Sequence, residues 1–246
     1  MGRVSHMKAL DLIVTGLNAA LYAGFGYLTY LGIFTPIVGV VRFWPSVVSP
    51  AVFANLFGPM VGGVGAAIGI FISDLLIHGN ALLSLLVGVP SNFIGFYLVG
   101  YIGRRDVRTS FILISNILGF VFAFASIGLL VQNLLDPFTS YLFAGICFFS
   151  AALALIINFI WPEWKSIGIG SIVGLGVGGA IIGMGVWAFS QFFILPSGEM
   201  LLPLNASVSW FIWTYATEIP FLIILVPPIL KACYLAFPGL RPSKRR

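Results

Sequence analysis

The sequence predicts an all-α fold, a polytopic bundle of about eight transmembrane helices forming a single domain over residues 1–246. Three observations carry this prediction. Hydrophobic residues make up 60% of the chain and charged residues only 8%, whereas a soluble domain carries about 25% charged residues to face water. The apolar runs are long and continuous, near the roughly 20 residues that a spanning helix needs. They do not alternate as lipid-facing barrel strands do, so a sheet is not expected. The Lys and Arg residues fall in the short links between those runs, toward the two termini or, as Lys231, near the end of the last run.

The runs follow one another in order. The first extends from Leu10 to Phe34 and precedes a loop rich in turn and aromatic residues, with Pro36, Gly39, Arg42, Trp44 and Pro45. A short run, Val47 to Phe57, stops at Gly58-Pro59 and predicts a short or distorted helix. The third, Met60 to Ile77, opens Gly-rich and ends in the polar turn His78-Gly79-Asn80. The fourth, Ala81 to Ile102, breaks at Gly103-Arg104-Arg105-Asp106. Phe111 to Leu135 and Phe138 to Trp161 form a hairpin about the Asp136-Pro137 turn. Ile167 to Leu195 and Ser209 to Leu235 complete the set, separated by a polar loop with Pro196, Gly198, Glu199 and Asn205.

Charge placement tests the division. If the N-terminus is cytoplasmic and every run crosses, all but Arg42 of the twelve Lys and Arg residues fall on the inner side. That asymmetry matches the positive-inside rule. It predicts a multi-pass protein of the plasma membrane, with eight crossings, the second one short, and both termini cytoplasmic. The net charge of +5 then reports topology and does not point to nucleic acid. Met1 to His6 precede a second methionine, and no function is read from His6. No cleavable signal peptide is expected, because the first run is long enough to span.

Several chemistries lack their residues. There is no phosphate-binding Gly-rich loop ending in Lys-Ser or Lys-Thr, no His-Glu-x-x-His and no Gly-x-Ser-x-Gly,. No catalytic residue, metal site or cofactor is expected. Cys147 and Cys233 lie inside apolar runs and read as buried structural thiols,. What remains are polar groups in apolar runs, where each is costly and marks a cavity or a partner. Asp74 and His78 stand four apart on one helix face. Glu218 lies in the last run, two residues before Pro220, which frees a backbone carbonyl one turn earlier. Arg42 offers a bidentate contact for an anionic group, and Trp44 a surface for stacking on a flat ring. Asn55 and Asn92 point into a pocket or join helices by hydrogen bonds. The structural alternatives are an interfacial acid–histidine pair, a snorkelling glutamate and an aromatic-belt residue beside a headgroup-binding Arg. Small-residue stripes, Gly16/Ala20 and Ala19/Ala23 on the first helix, Gly65/Gly69 on the third and Gly170/Gly174/Gly178 on the seventh, permit close helix packing,.

The stretch from Val41 to Arg105 resembles the substrate-binding (S) components of energy-coupling factor vitamin transporters, the riboflavin type in particular. The resemblance rests on the aromatic first loop, the short helix with PAVFANLFGP, the Gly-rich third helix, and PSNFIGFYL in a fourth helix ending in Arg104-Arg105. It implies a six-helix core over residues 8–105 and 166–236, with the hairpin at 109–161 inserted. It also implies that Ala19 and Ala23 contact a transmembrane coupling subunit, that two ATPase subunits supply the energy, and that a vitamin-like small molecule binds from outside under a mobile first loop. Arg42, Trp44, Asn55, Asp74, His78, Asn92 and Glu218 are the candidate substrate contacts. An enzyme is not expected. The rival readings are an intramembrane lipid-modifying enzyme using Asp74, His78 and Glu218, and a structural membrane protein without a ligand.

Overall fold

The computed structural model describes residues 9–33, 37–39, 41–108 and 110–241. Seven of its helices are long and apolar enough to cross a membrane. They are α1 (Ala9–Tyr30), α3 (Pro59–Ile77), α4 (Ala81–Gly103), α5 (Ser110–Val131), α6 (Pro137–Ile160), α7 (Lys165–Ser190) and α8 (Ala206–Ala236). The short α2 (Val48–Phe57) lies between α1 and α3. The expected helical bundle is therefore present. Two short strands, β1 (Ile37–Val38) and β2 (Val41–Arg42), pair antiparallel in the first loop, where no strand was expected. The cytoplasmic placement of the termini rests on residues 1–8 and 242–246, which lie outside the described residues, as do Phe34 and Pro36 of the first loop.

Packing at the glycines fixes the direction of the helices. Along α1 and α3, Asn18 meets Gly65, Tyr22 meets Gly69, and Gly26 meets Ser73, so the two helices run parallel. The chain between them must therefore return the length of the bundle. Ten residues of α helix cover only about 15 Å at 1.5 Å per residue, half the hydrocarbon thickness. The first loop supplies the rest by descending into the bundle, where the Trp44 N–H donates to the Thr217 carbonyl at 3.1 Å. Irregular backbone at that depth is tolerated because protein satisfies it. Pro220, which offers no N–H to the Ala216 carbonyl, loosens the α8 turn that accepts this bond. Gly58 then reverses the chain in a single residue at φ +118°, open to glycine and strained for any side chain. At this end Arg104 caps α2, its Nη1 donating to the Asn55 and Leu56 carbonyls at 2.7 and 2.8 Å.

The glycine stripes set the contacts. A Cβ on Gly174 would fall 2.6 Å from the Gly95 carbonyl oxygen, so α4 and α7 pack backbone to backbone,. The hairpin of α5 and α6 is not a detached appendage. Phe122 packs edge-on against Phe211 and Tyr215, and Phe143 against Trp213, so it shares one core with α8. Its α6 begins with an Asp136 cap, whose carboxylate accepts from the Thr139 N–H at 3.0 Å ahead of Pro137,.

Two expectations require correction. Ala19 and Ala23 are 4% and 5% exposed, turned into the α3 seam where Gly69 reaches the Ala19 carbonyl. They offer no surface to a partner. Adjacent helical positions lie about 100° apart, so the outward small residues are Gly16, Ala20 and Gly24, with open space above both glycines. Of the two free thiols, Cys147 is buried but Cys233 is only half-buried.

Candidate functional site

The π-type turn Ser84–Gly88 is where α4 departs from regular geometry. Pro90 accounts for it: the ring lacks an N–H for the Leu86 carbonyl and would crowd it in a regular helix, and the wider turn relieves both. Such bulges concentrate at functional sites. Here the bulge carries Ser84 to Asp74, whose Oδ2 accepts the serine hydroxyl at 2.6 Å. Gly88 makes room for this, because a Cβ there would sit 2.7 Å from the same carboxylate oxygen.

The bulge borders a cavity of about 320 Å³ lined by α1, α3, α4, α7, α8 and the first loop. This volume is at the small end of ligand pockets. Six of the residues singled out from the sequence line it: Arg42, Trp44, Asp74, His78, Asn92 and Glu218. Asn55 does not. It is buried at the Arg104 end, its Nδ2 donating to the Ala51 carbonyl at 2.8 Å, with its amide against Gly103. It joins helices there and does not face the cavity.

The cavity has a graded interior. Arg42, exposed at the mouth, donates to the Tyr30 carbonyl and stacks its guanidinium 5.3 Å above the Tyr30 ring. His78 ends α3 close by, with its Nδ1 accepting from the Asn80 N–H at 3.1 Å. In the neutral ring that acceptor role leaves the proton on Nε2, which faces Asp74 Oδ1 at 3.5 Å. Deeper in, the buried Tyr22 hydroxyl donates to Asn92 Oδ1 at 2.8 Å, and Asn92 Nδ2 donates to the Gly88 carbonyl at 3.0 Å. Glu218 is twelve residues into α8, roughly 18 Å from its start, and half-buried. Among the described residues no hydrogen bond or ion pair reaches its carboxylate.

Sequence reasoning did not single out Tyr22, Ser84, Trp210, Trp213, Thr214 or Thr217, all at or beside the cavity. Tyr22 reads as an ordinary aromatic on an apolar helix, and only its neighbours make it a wall. For α8 a signal existed: Trp210, Trp213, Thr214, Thr217 and Glu218 recur at spacings of three and four, one helical face.

The chain is similar to the UPF0397 protein of Aliivibrio salmonicida, 27% identical over 165 residues, which cover 62% of this chain and 86% of that protein. The name of that protein states no substrate, partner or reaction. No family model and no solved structure matches the chain.

Proposed function

We propose that this chain is the membrane-embedded substrate-binding subunit of an energy-coupling factor importer. It captures a small, ring-containing, vitamin-like nutrient at the outer face and delivers it inward with a transmembrane coupling subunit and two ATPases. One observation carries the reading: six polar or aromatic residues from four separate stretches of an otherwise apolar chain converge on one ligand-sized cavity. Intramembrane charge is costly and persists where it serves a pathway or a ligand. The similarity to the UPF0397 protein of Aliivibrio salmonicida and the stretch from Val41 to Arg105 are compatible with this assignment. The first loop, whose Trp44 N–H reaches the Thr217 carbonyl beside Glu218, would act as a lid on the cavity. The outward stripe of Gly16, Ala20 and Gly24 is the α1 face on which the coupling subunit would pack closely.

Purified protein tested by thermal shift against riboflavin, thiamine and other vitamins should respond to one of them. At 100 times its dissociation constant a ligand adds about 2.7 kcal/mol of stability. Flat unfolding curves across the panel would remove this reading. Expression with neighbouring genes should co-purify a coupling subunit with its ATPases. Ala20→Leu should weaken that association without altering the ligand-induced shift. Lipid turnover lost on Asp74→Asn would instead favour the intramembrane enzyme.

A further inference from the structure

The hydrogen-bonding character of the cavity determines what kind of ring it can hold. Most of its deeper donors are engaged within the protein. The Tyr22 hydroxyl is given to Asn92 and the Asn92 amide to Gly88. The Ser84 hydroxyl is given to Asp74 and the Thr217 hydroxyl to the Trp213 carbonyl. His78 turns its Nε2 toward Asp74 as well. Arg42, the one Lys or Arg among the lining residues, points its Nη1 to Tyr30 at the mouth. That bond ties the first loop to α1 and keeps the guanidinium at the mouth of the cavity.

Acceptors remain. An ionised carboxylate accepts only, with about four lone-pair sites. Asp74 has its serine and histidine, whereas no protein donor among the described residues reaches Glu218. Asp74 and Glu218 line the same cavity, so the two acids share one site. The donors left over, Thr214 and the indoles of Trp210 and Trp213, are neutral. An anionic ligand would meet two carboxyl groups inside, with the Arg42 guanidinium out at the mouth. A ligand with donors would satisfy Glu218, which no protein donor among the described residues reaches, and burying an unmatched polar group is expensive.

We propose that the cavity selects a flat aromatic ring bearing a cationic or donor-rich edge, such as an amidine, a protonated amine or an amino-substituted azine, and that Glu218 is its counter-group. Trp44 and Trp213, which both line the cavity, would supply the stacking surface and strengthen attraction for a cationic ring,. This deepens the substrate-binding reading and rests on it.

The test uses three near-isosteric probes, benzamidine, benzamide and benzoate, measured on the detergent-purified wild-type chain by thermal shift and equilibrium dialysis at neutral pH. Benzamidine should bind at least tenfold more tightly than benzamide, and benzoate should produce no shift. Glu218→Gln, which keeps the side-chain volume, should reduce the benzamidine preference below threefold. Benzoate binding as well as benzamidine, or a tenfold preference surviving Glu218→Gln, would overturn the proposal. Should the variant fail to fold, the wild-type ranking alone decides. If a vitamin binds while benzamidine shows no preference, the charge selectivity falls and the binding reading stands. If neither vitamins nor probes bind, both fall together.

Discussion

Asn18 shows how a single polar residue is used in an apolar bundle. It is fully buried. Its Nδ2 donates to the Val61 and Gly62 carbonyls at 3.2 and 3.4 Å, and its Oδ1 accepts the Ser49 hydroxyl at 3.1 Å. One side chain thus ties α1 to both α2 and α3. Asn18→Ala would orphan the buried Ser49 hydroxyl and open a small void, at a cost of about 1–3 kcal/mol. A lowered unfolding temperature in detergent is the expected reading, with cavity ligands still bound by the folded fraction. An unchanged melting curve would show that Ser49 finds another acceptor. Residues of this kind were partly legible. Asp74, Asn92 and Glu218 stood out because charge or amide groups in an apolar run demand an explanation. Asn55 stood out for the same reason, yet it serves packing at the opposite end of the bundle. Residue type announces that a partner exists; only position says which partner.

At the scale of elements, glycine placement governs how closely helices approach. Gly174 and Gly176 differ by two positions on α7 and by everything in their surroundings. A Cβ on Gly174 would meet the Gly95 carbonyl oxygen at 2.6 Å, whereas one on Gly176 would rest at ordinary contact, 3.5 Å from the Phe122 ring. Gly174→Ala should force α4 and α7 apart and destabilise the fold by about 1–3 kcal/mol. Gly176→Ala should be near neutral. Comparing the two melting temperatures checks the assignment of faces, and equal losses would contradict it. The stripe Gly170, Gly174, Gly178 was readable from its spacing of four, since that spacing defines a helix face. The mistaken role for Ala19 and Ala23 has the same origin: spacing reveals a face but not what covers it. Here α3 covers that face with Gly65 and Gly69. The bulge at Ser84–Gly88 was likewise illegible, although Pro90 gives its cause in retrospect, because a proline kinks, breaks or widens a helix according to its neighbours.

For the whole molecule, the parallel packing of α1 and α3 is the decisive feature. It requires a return crossing between them, which the irregular loop and the ten-residue α2 make together. The proposed orientation then places Gly79 and Ser197 at one face and Glu163 at the other. Single cysteines introduced at 79, 197 and 163, in a chain with Cys147 and Cys233 replaced, should separate cleanly. Positions 79 and 197 should react with an impermeant maleimide on intact cells, and 163 only after permeabilisation. Labelling of 163 together with 79 would invalidate the eight-crossing arrangement.

By itself the sequence determined the solvent this protein folds in, the number and order of its helices and the polar groups that need partners. Those follow from local quantities: the length of an apolar run, the residue that ends it and the cost of charge in hydrocarbon. The tertiary structure alone decided which of those polar groups share a cavity. It turned Arg42 toward Tyr30, left Glu218 without a protein donor among the described residues, sent Asn55 to the far end and buried Ala19 and Ala23. The reason is geometric. In a bilayer every helix is apolar all round, so the usual distinction between a wet and a dry face gives no rotation for it. That rotation is set by close packing of small residues and by a few buried hydrogen bonds, and both depend on which helices become neighbours.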